Sequence, residues 1–519
     1  MPDVQLFNDM AMGFSHALTL VPFLLMCAGI VIGVVAGALP GISFVNAMAL
    51  SLPFTYAMSP IHAMLFLTGI YVGGIFGGSI SSILINIPGT PASLPSVWDG
   101  YPMTKRGESA RALGIAITCS AVGGIFSALL MTFFSPPFAK FALTFSQPEF
   151  FAAVILGLVS VLAIAKGNFV PSMFSLFVGL AVATVGIDPL FSTPRLTFGS
   201  PILENGISFV VVLIGMFAIG EVLDEIGKRA RTNYRTGASV GSAKLPKLRE
   251  LWSLRGTMAR ASAIGATIGI IPGTGGLVGA MVAYGVEKHV SKRGDQFGTG
   301  VPEGLAAPEA AKNATTGAAT IPMLTLGIPG SAATAIMMAA LILKGVDPGP
   351  LLFVNSKDLV YTVFAGYFIA NVLMVVCGLL VARAFAYLMR VPQPILFVFI
   401  IILSVIGAFG VRNNIADVYV CLAFGIIGYF MKRFGIPTAP LILGVILGPL
   451  AERYFLTAMA GHQNDWTVFF TRPISGAIMA LTLAFVLWGL WPAFSDFVRQ
   501  RIAAGAEAAL AAKKRQPGE

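Results

Sequence analysis

The sequence predicts an all-α polytopic membrane protein made of two inverted repeats, with about 11–12 transmembrane spans. Three observations carry this. First, 56% of the 519 residues are hydrophobic and only 11% are charged, where soluble domains carry about 25% charged residues. Second, apolar runs near 20 residues recur, the length a helix needs to cross a hydrocarbon core of about 30 Å. A membrane barrel would instead show alternating segments of about ten residues. Third, a set of Gly and Pro positions occurs twice in the same order.

The first such set is Gly33, Gly37, Pro40 and Gly41, repeated 232 positions later as Gly265, Gly269, Pro272 and Gly273. The second is Ile87-Pro88-Gly89-Thr90-Pro91-Ala92-Ser93, matched 241 positions later by Ile328-Pro329-Gly330-Ser331-Ala332-Ala333-Thr334. A weaker third pair, Gln147-Pro148 and Gln393-Pro394, lies 246 apart. Order is kept and the separation grows slowly, as small insertions in a duplicated unit would make it.

The elements follow in order. The run of about 17–57 is broken at Pro40-Gly41, and the run of about 258–286 at Pro272-Gly273. The arms of the latter, about 14 and 13 residues, reach only about 20 Å at 1.5 Å per residue. Each run is therefore expected to be a re-entrant hairpin. The first run's long opening stretch would also suffice to span. After each hairpin comes an interrupted span, about 61–97 and 306–343, and then four further spans in each half. The first repeat thus occupies 1–227 and the second 257–456. Between them lies a basic linker, 228–256, and 457–519 holds one extra helix and a basic tail. Basic residues favour the cytoplasmic side, so linker and tail are expected there. The loops carrying Lys105, Arg106, Arg383, Arg390, Lys432 and Arg433 fall on the same side. Each half then crosses an odd number of times, which inverts one against the other.

The net charge of +10 is accounted for by such loops and does not point to nucleic acid. The four cysteines form no C-x-x-C pair, and no metal site, cofactor, nucleophile elbow or P-loop is indicated. Inverted repeats with broken helices point instead to a secondary transporter. A Pro-Gly break frees backbone groups where no water is present, and protein or ligand must satisfy them. A half-helix N-terminus at mid-membrane offers N–H groups and a positive dipole end to an anion. Freed carbonyls suit a hard cation such as Na⁺. The candidate substrate-binding residues are accordingly Ser43, Asn86, Gly89, Thr90, Ser93, Thr274, Gly330, Ser331 and Thr334. The candidate cation-binding residues are Pro40, Gly41, Asn46, Pro272, Gly273, Asn313 and Thr316. Helix packing competes as a role for every Ser, Thr and Gly among them. Glu309 and Lys312 read as part of a polar approach to the second break, and the span centres as almost free of ionisable side chains.

The chain resembles the large membrane subunit of the tripartite tricarboxylate transporters, the TctA family. The resemblance rests on G-A-L-P-G-I at 37–42, N-I-P-G-T-P-A-S at 86–93, D-G-Y-P-M at 99–103, G-x-I-P-G-T-G-G at 269–276, P-E-A-A-K-N-A at 308–314 and L-T-L-G-I-P-G-S at 324–331. It implies a non-enzymatic carrier in the bacterial inner membrane, working with a small membrane subunit of about four helices and a periplasmic solute-binding protein. It also implies Na⁺-coupled uptake of citrate-like tricarboxylates or other small carboxylates. A passive channel or carrier for another small solute is the alternative.

Overall fold

The computed structural model describes residues 2–164, 169–188, 192–229, 244–273, 275–388 and 392–490. Thr274, Arg390, the middle of the basic linker and the C-terminal tail lie outside the described residues. Among those described, eight helices are long and apolar enough to cross a membrane. Shorter apolar helices accompany them, and the whole is a multi-pass α-helical membrane protein.

The chain opens with α1 (Pro2–Ala17), which the sequence reading left out. Its polar residues interrupt any apolar run, and it packs along the outside of a later helix instead of forming a span of its own. Then come α2 (Leu20–Ala38), α3 (Phe44–Thr55), α4 (Pro60–Ile85), α5 (Leu94–Lys105), α6 (Ser109–Ala142), α7 (Gln147–Ile164) and α8 (Phe169–Ala183). The α9 segment runs from Phe209 through a π-helical turn at Gly215–Ile219 to Arg229. The second half holds α10 (Arg255–Ile270), α11 (Gly275–Val290), α12 (Pro302–Leu326), α13 (Ala332–Leu343), α14 (Lys357–Leu388), α15 (Gln393–Arg412), α16 (Ile415–Arg433) and α17 (Ala439–Gly461). A last helix, α18 (Pro473–Leu490), follows.

Glycine decides how closely the central helices approach. Gly29, Gly33 and Gly37 of α2 interlock with Gly69, Gly73 and Gly77 of α4. A Cβ added at any of the six would lie on a backbone carbonyl oxygen of the other helix. The partners advance together along both helices, so α2 and α4 run parallel, and α3 returns toward the end where α2 began. The α10–α12 pair repeats this. The nearest atoms to Gly265 and Gly269 belong to Ala311 and Thr315 of α12. These glycines therefore serve the contact with α12.

The halves are interleaved. Helix α6 lies along α12, and α14 lies along α4, so each interrupted helix is backed by a long helix from the other half. Away from this centre, α8 packs on α17 and the π-helical turn of α9 on α16. Each interrupted helix also doubles back after its end. Helix α4 closes on Asn86 at φ 63°, and α12 on Gly327 at φ 71°. Both are left-handed turns, which glycine tolerates best and asparagine better than most residues. The chain then returns until Gly89 N–H donates to the Gly78 carbonyl at 3.3 Å and restarts as α5. In the second half Gly330 comes back against Ala319 before α13 begins.

The glycine seam yields a direct test. Gly33→Ala and Gly73→Ala each push a methyl into facing backbone, and overpacking of this kind costs about 1–3 kcal/mol. Gly285 of α11 has open space beside it. The first two variants are expected to lower the thermal midpoint of the detergent-purified protein, and Gly285→Ala to leave it unchanged.

Candidate functional site

Four chain breaks surround one cavity of about 530 Å³. Each contributes the start of a helix. Ser43, Phe44 and Val45 open α3. Thr90, Pro91 and Ala92 lead into α5. Gly275 and Gly276 open α11, and Ser331, Ala332 and Ala333 open α13. Helices α3 and α13 leave the cavity toward one end, where Lys344 Nζ donates to the Tyr56 carbonyl. Helices α5 and α11 leave together on a shared path, with the Trp98 and Tyr284 rings 4.8 Å apart. Four helix starts thus face one space.

Local chemistry keeps these ends open. Ser43 caps its own helix, accepting from Val45 N–H at 3.2 Å. Ser331 and Thr334 form a reciprocal capping box, with Ser331 N–H donating to Thr334 Oγ1 at 2.8 Å and Thr334 N–H to Ser331 Oγ at 3.2 Å. At Gly41 φ is +86° and the position abuts the Glu225 side chain, so only glycine suits the first hairpin tip. At Gly273 φ is +82°, and its N–H donates to the Gly330 carbonyl at 2.9 Å. That bond joins the second hairpin tip to the second interrupted span.

Of the residues singled out in the sequence, Gly41, Ser43, Asn46, Gly89, Thr90 and Ser331 line the cavity. Ser93 lies one layer behind, its Oγ 2.8 Å from Thr90 Oγ1, and Thr334 lies behind Ser331. Pro40, Pro272, Gly273 and Gly330 shape the breaks without lining the cavity. Asn86 is exposed and away from it. Its position, equivalent to Gly327, explains the residue by backbone conformation. Asn313 and Thr316 are enclosed within α12 and do not reach the cavity either. Asn313 Nδ2 donates to the Glu309 carbonyl at 3.3 Å. Its Oδ1 is buried without a hydrogen-bond partner among the described residues, as is Asn371 Oδ1 on α14.

The reading of the span centres as nearly uncharged needs correction. Glu309 and Lys312 are fully buried in α12, 3.0 Å apart. Ser79 Oγ (2.7 Å), Ser96 Oγ (2.5 Å) and Ser120 Oγ (2.8 Å) donate to the Glu309 carboxylate. Lys312 Nζ donates to Ser79 Oγ and, at 3.3 Å, to Ser93 Oγ. An acid and a base three apart in a stretch otherwise free of charge from Gly304 to Leu326 were the available signal, because i and i+3 share a helix face. Tyr71, Glu221, Glu225 and Lys432 also line the cavity, and Lys432 is paired with Glu221.

Asp99, in the D-G-Y-P-M segment, is buried and clamps α5 to the second half. It accepts from Gly298 N–H (3.0 Å), Gly300 N–H (2.8 Å), Val301 N–H (2.8 Å) and Tyr284 O–H (2.9 Å). A second cavity, about 430 Å³, is lined mainly by apolar residues such as Phe145, Phe150, Ile342 and Leu351. It contains none of the break residues.

Paired hairpins and interrupted helices gathered around a cavity inside a polytopic bundle define a membrane transporter's translocating unit. The family model of the tripartite tricarboxylate transporter TctA family matches residues 23–443, and the chain belongs to that family. The family is one of transporters and not of enzymes, and its tripartite architecture implies a small membrane subunit and a periplasmic binding protein as partners. Among curated proteins, the chain is 34% identical over 493 residues to an uncharacterized 52.8 kDa protein from the TAR-I ttuC′ 3′ region of Agrobacterium vitis, covering 94% of this chain and 97% of that one. It is 38% identical over 228 residues to an uncharacterized protein from the TAR-II ttuC′ 3′ region of the same organism, covering 44% of this chain and 94% of that relative.

Asp99→Ala would strand two buried N–H groups, a part-buried third and a buried tyrosine O–H, and each buried group left unmet costs about 1–3 kcal/mol. The variant is expected to lose about 3 kcal/mol or more in denaturant or thermal unfolding. Glu303→Gln, which disturbs only the half-exposed pair with Arg293, is expected to lose under about 1 kcal/mol in the same assay.

Proposed function

We propose that the chain carries a small carboxylate, a tricarboxylate or one of its relatives, across the bacterial inner membrane in symport with a cation, Na⁺ being the expected ion. The single observation behind this reading is the meeting of four helix N-termini at one cavity. Each N-terminus presents backbone N–H groups and the positive end of a helix dipole. In a site shielded from water such groups favour an anion. The hydroxyls of Thr90 and Ser331 add donors without adding a formal charge. Lys432, the cavity's one lysine among the described lining residues, is engaged by Glu221. The site therefore binds an anion firmly only if an accompanying cation offsets its charge, which is the physical rationale for coupling. Asn46 on the cavity wall and the carbonyls beside Pro40-Gly41 and Pro272-Gly273 are the expected cation ligands. Asn313, whose Oδ1 has no partner among the described residues, is a further one, and Thr316 stands beside it.

In this reading the two halves are inverted in the membrane. The basic linker and the C-terminus face the cytoplasm, and the small subunit of about four helices and the periplasmic binding protein complete the carrier. The rival reading is a passive channel. Proteoliposomes holding this chain, the small subunit and a cognate binding protein separate the two by uptake of a labelled carboxylate panel that includes citrate. Uptake above equilibrium that needs an inward Na⁺ gradient is expected. Uptake that never exceeds the outside concentration and ignores every ion gradient would establish the channel. Thr90→Ala removes a donor to a charged ligand, a contact worth about 1.5–3 kcal/mol, and is expected to raise the apparent KM about tenfold or more. Ser331→Ala removes a hydroxyl worth about 0.5–1.5 kcal/mol and is expected to raise it about twofold to tenfold, and parental KM in both variants would move the site elsewhere.

A further inference from the structure

The separation of 241 that relates the two interrupted-span motifs also relates Tyr71 to Lys312, Thr90 to Ser331 and Ser93 to Thr334. The first pair reaches across the molecule to the hydroxyls at the other half's break, though not to the same member of each hydroxyl pair. Lys312, from the second half, donates to Ser93 beside the first-half break at 3.3 Å. Tyr71, from the first half, stands 3.3 Å from Ser331 at the second-half break. One break is backed by an ammonium and the other by a neutral phenol.

The hydrogen-bond directions on the ammonium side follow from valence. A lysine ammonium has three donors and no acceptor. Those of Lys312 meet Glu309 Oε1, Ser79 Oγ and Ser93 Oγ. Ser93 is fully buried, and its hydroxyl is recorded with two partners, Lys312 and Thr90. It accepts from the first, and the arrangement that leaves its own buried proton with a partner sends that proton to Thr90 Oγ1, 2.8 Å away. An unmade bond there would cost about 1–3 kcal/mol. Thr90 then accepts from Ser93 and keeps its own O–H as a donor at the cavity it lines. On the far side of the pair, Ser96 and Ser120 donate to Glu309. The pair is thus a fixed dipole whose positive end faces the cavity through Ser93 and Thr90. Gly78 keeps the chain intact, since a Cβ there would lie 2.5 Å from both the Ser93 and Thr90 oxygens.

We propose that Lys312 is a positioning residue that polarises the Ser93–Thr90 relay, making the Thr90 side of the cavity the subsite for the substrate's carboxylate and leaving the Ser331 side as a neutral, hydroxyl-lined subsite. This assignment rests on the carboxylate reading above for its ligand, but the polarisation itself does not.

The test uses the full chain with Cys27, Cys119, Cys377 and Cys421 replaced by alanine and one new thiol, Thr90→Cys or Ser331→Cys. The rate of modification by a small methanethiosulfonate is followed against pH. Glu221, Glu225 and Lys432 line the same cavity and stay constant throughout. The thiol at 90 is expected to titrate about one pH unit or more below the thiol at 331, because a nearby opposite charge favours the thiolate. Lys312→Met alone would abandon a buried carboxylate and endanger folding, so the pair is neutralised together as Glu309→Gln with Lys312→Gln, or the relay is cut by Ser93→Ala. Either change is expected to raise the midpoint at 90 and leave that at 331 in place. Equal midpoints at 90 and 331, or a midpoint at 90 unmoved by both changes, would overturn the relay. The shifted midpoint together with no uptake of any carboxylate would uphold the relay and sink the carboxylate reading.

Discussion

The structure depends on the backbone contact between α2 and α4. Six glycines let the two helices run parallel with carbonyl oxygens where Cβ atoms would otherwise stand. Between helices in a bilayer there is no hydrophobic gain to exploit, and close packing of small residues supplies the cohesion. This contact sets the depth at which α2 ends. Gly89, returning after α4, abuts Gly37, so a hairpin tip and an interrupted span terminate at one level. The α10–α12 contact does the same for the second half, and the Gly273–Gly330 hydrogen bond ties the corresponding pieces together.

From that constraint the site follows. Breaking a helix inside a membrane is costly unless the freed groups find partners. Here capping serines, two backbone bridges and the cavity absorb them. Because the two halves are interleaved, with α6 backing α12 and α14 backing α4, each break is supported by residues of the other half. The Glu309–Lys312 pair is the clearest instance. It sits on α12, yet its partners Ser79, Ser93, Ser96 and Ser120 all come from the first half. A buried pair is tolerated when every lone pair and proton is engaged, and this one meets that condition.

Asp99 shows the same logic nearer the surface. Its carboxylate gathers three backbone N–H groups from the turn that leads into α12, so an acid on a first-half helix positions the entry of a second-half helix. The D-G-Y-P-M segment thus carries a structural clamp, and the chemistry faces the cavity elsewhere.

The sequence alone determined the helical membrane class and pointed to the places where helices break. Composition, run length and Pro-Gly spacing are local properties that physics reads directly. It also pointed to Ser43, Asn46, Thr90 and Ser331, because a hydroxyl or amide beside a break has few other uses. It misjudged Asn86, whose left-handed turn satisfies the same residue preference as ligand binding. It also misjudged Glu309 and Lys312, since one-dimensional hydropathy cannot tell a solvated polar turn from a buried ion pair. Only the tertiary structure decided which half supports which break. That choice is made by interhelical glycine contacts and by serines more than 180 residues from their partners, and no local pattern encodes it.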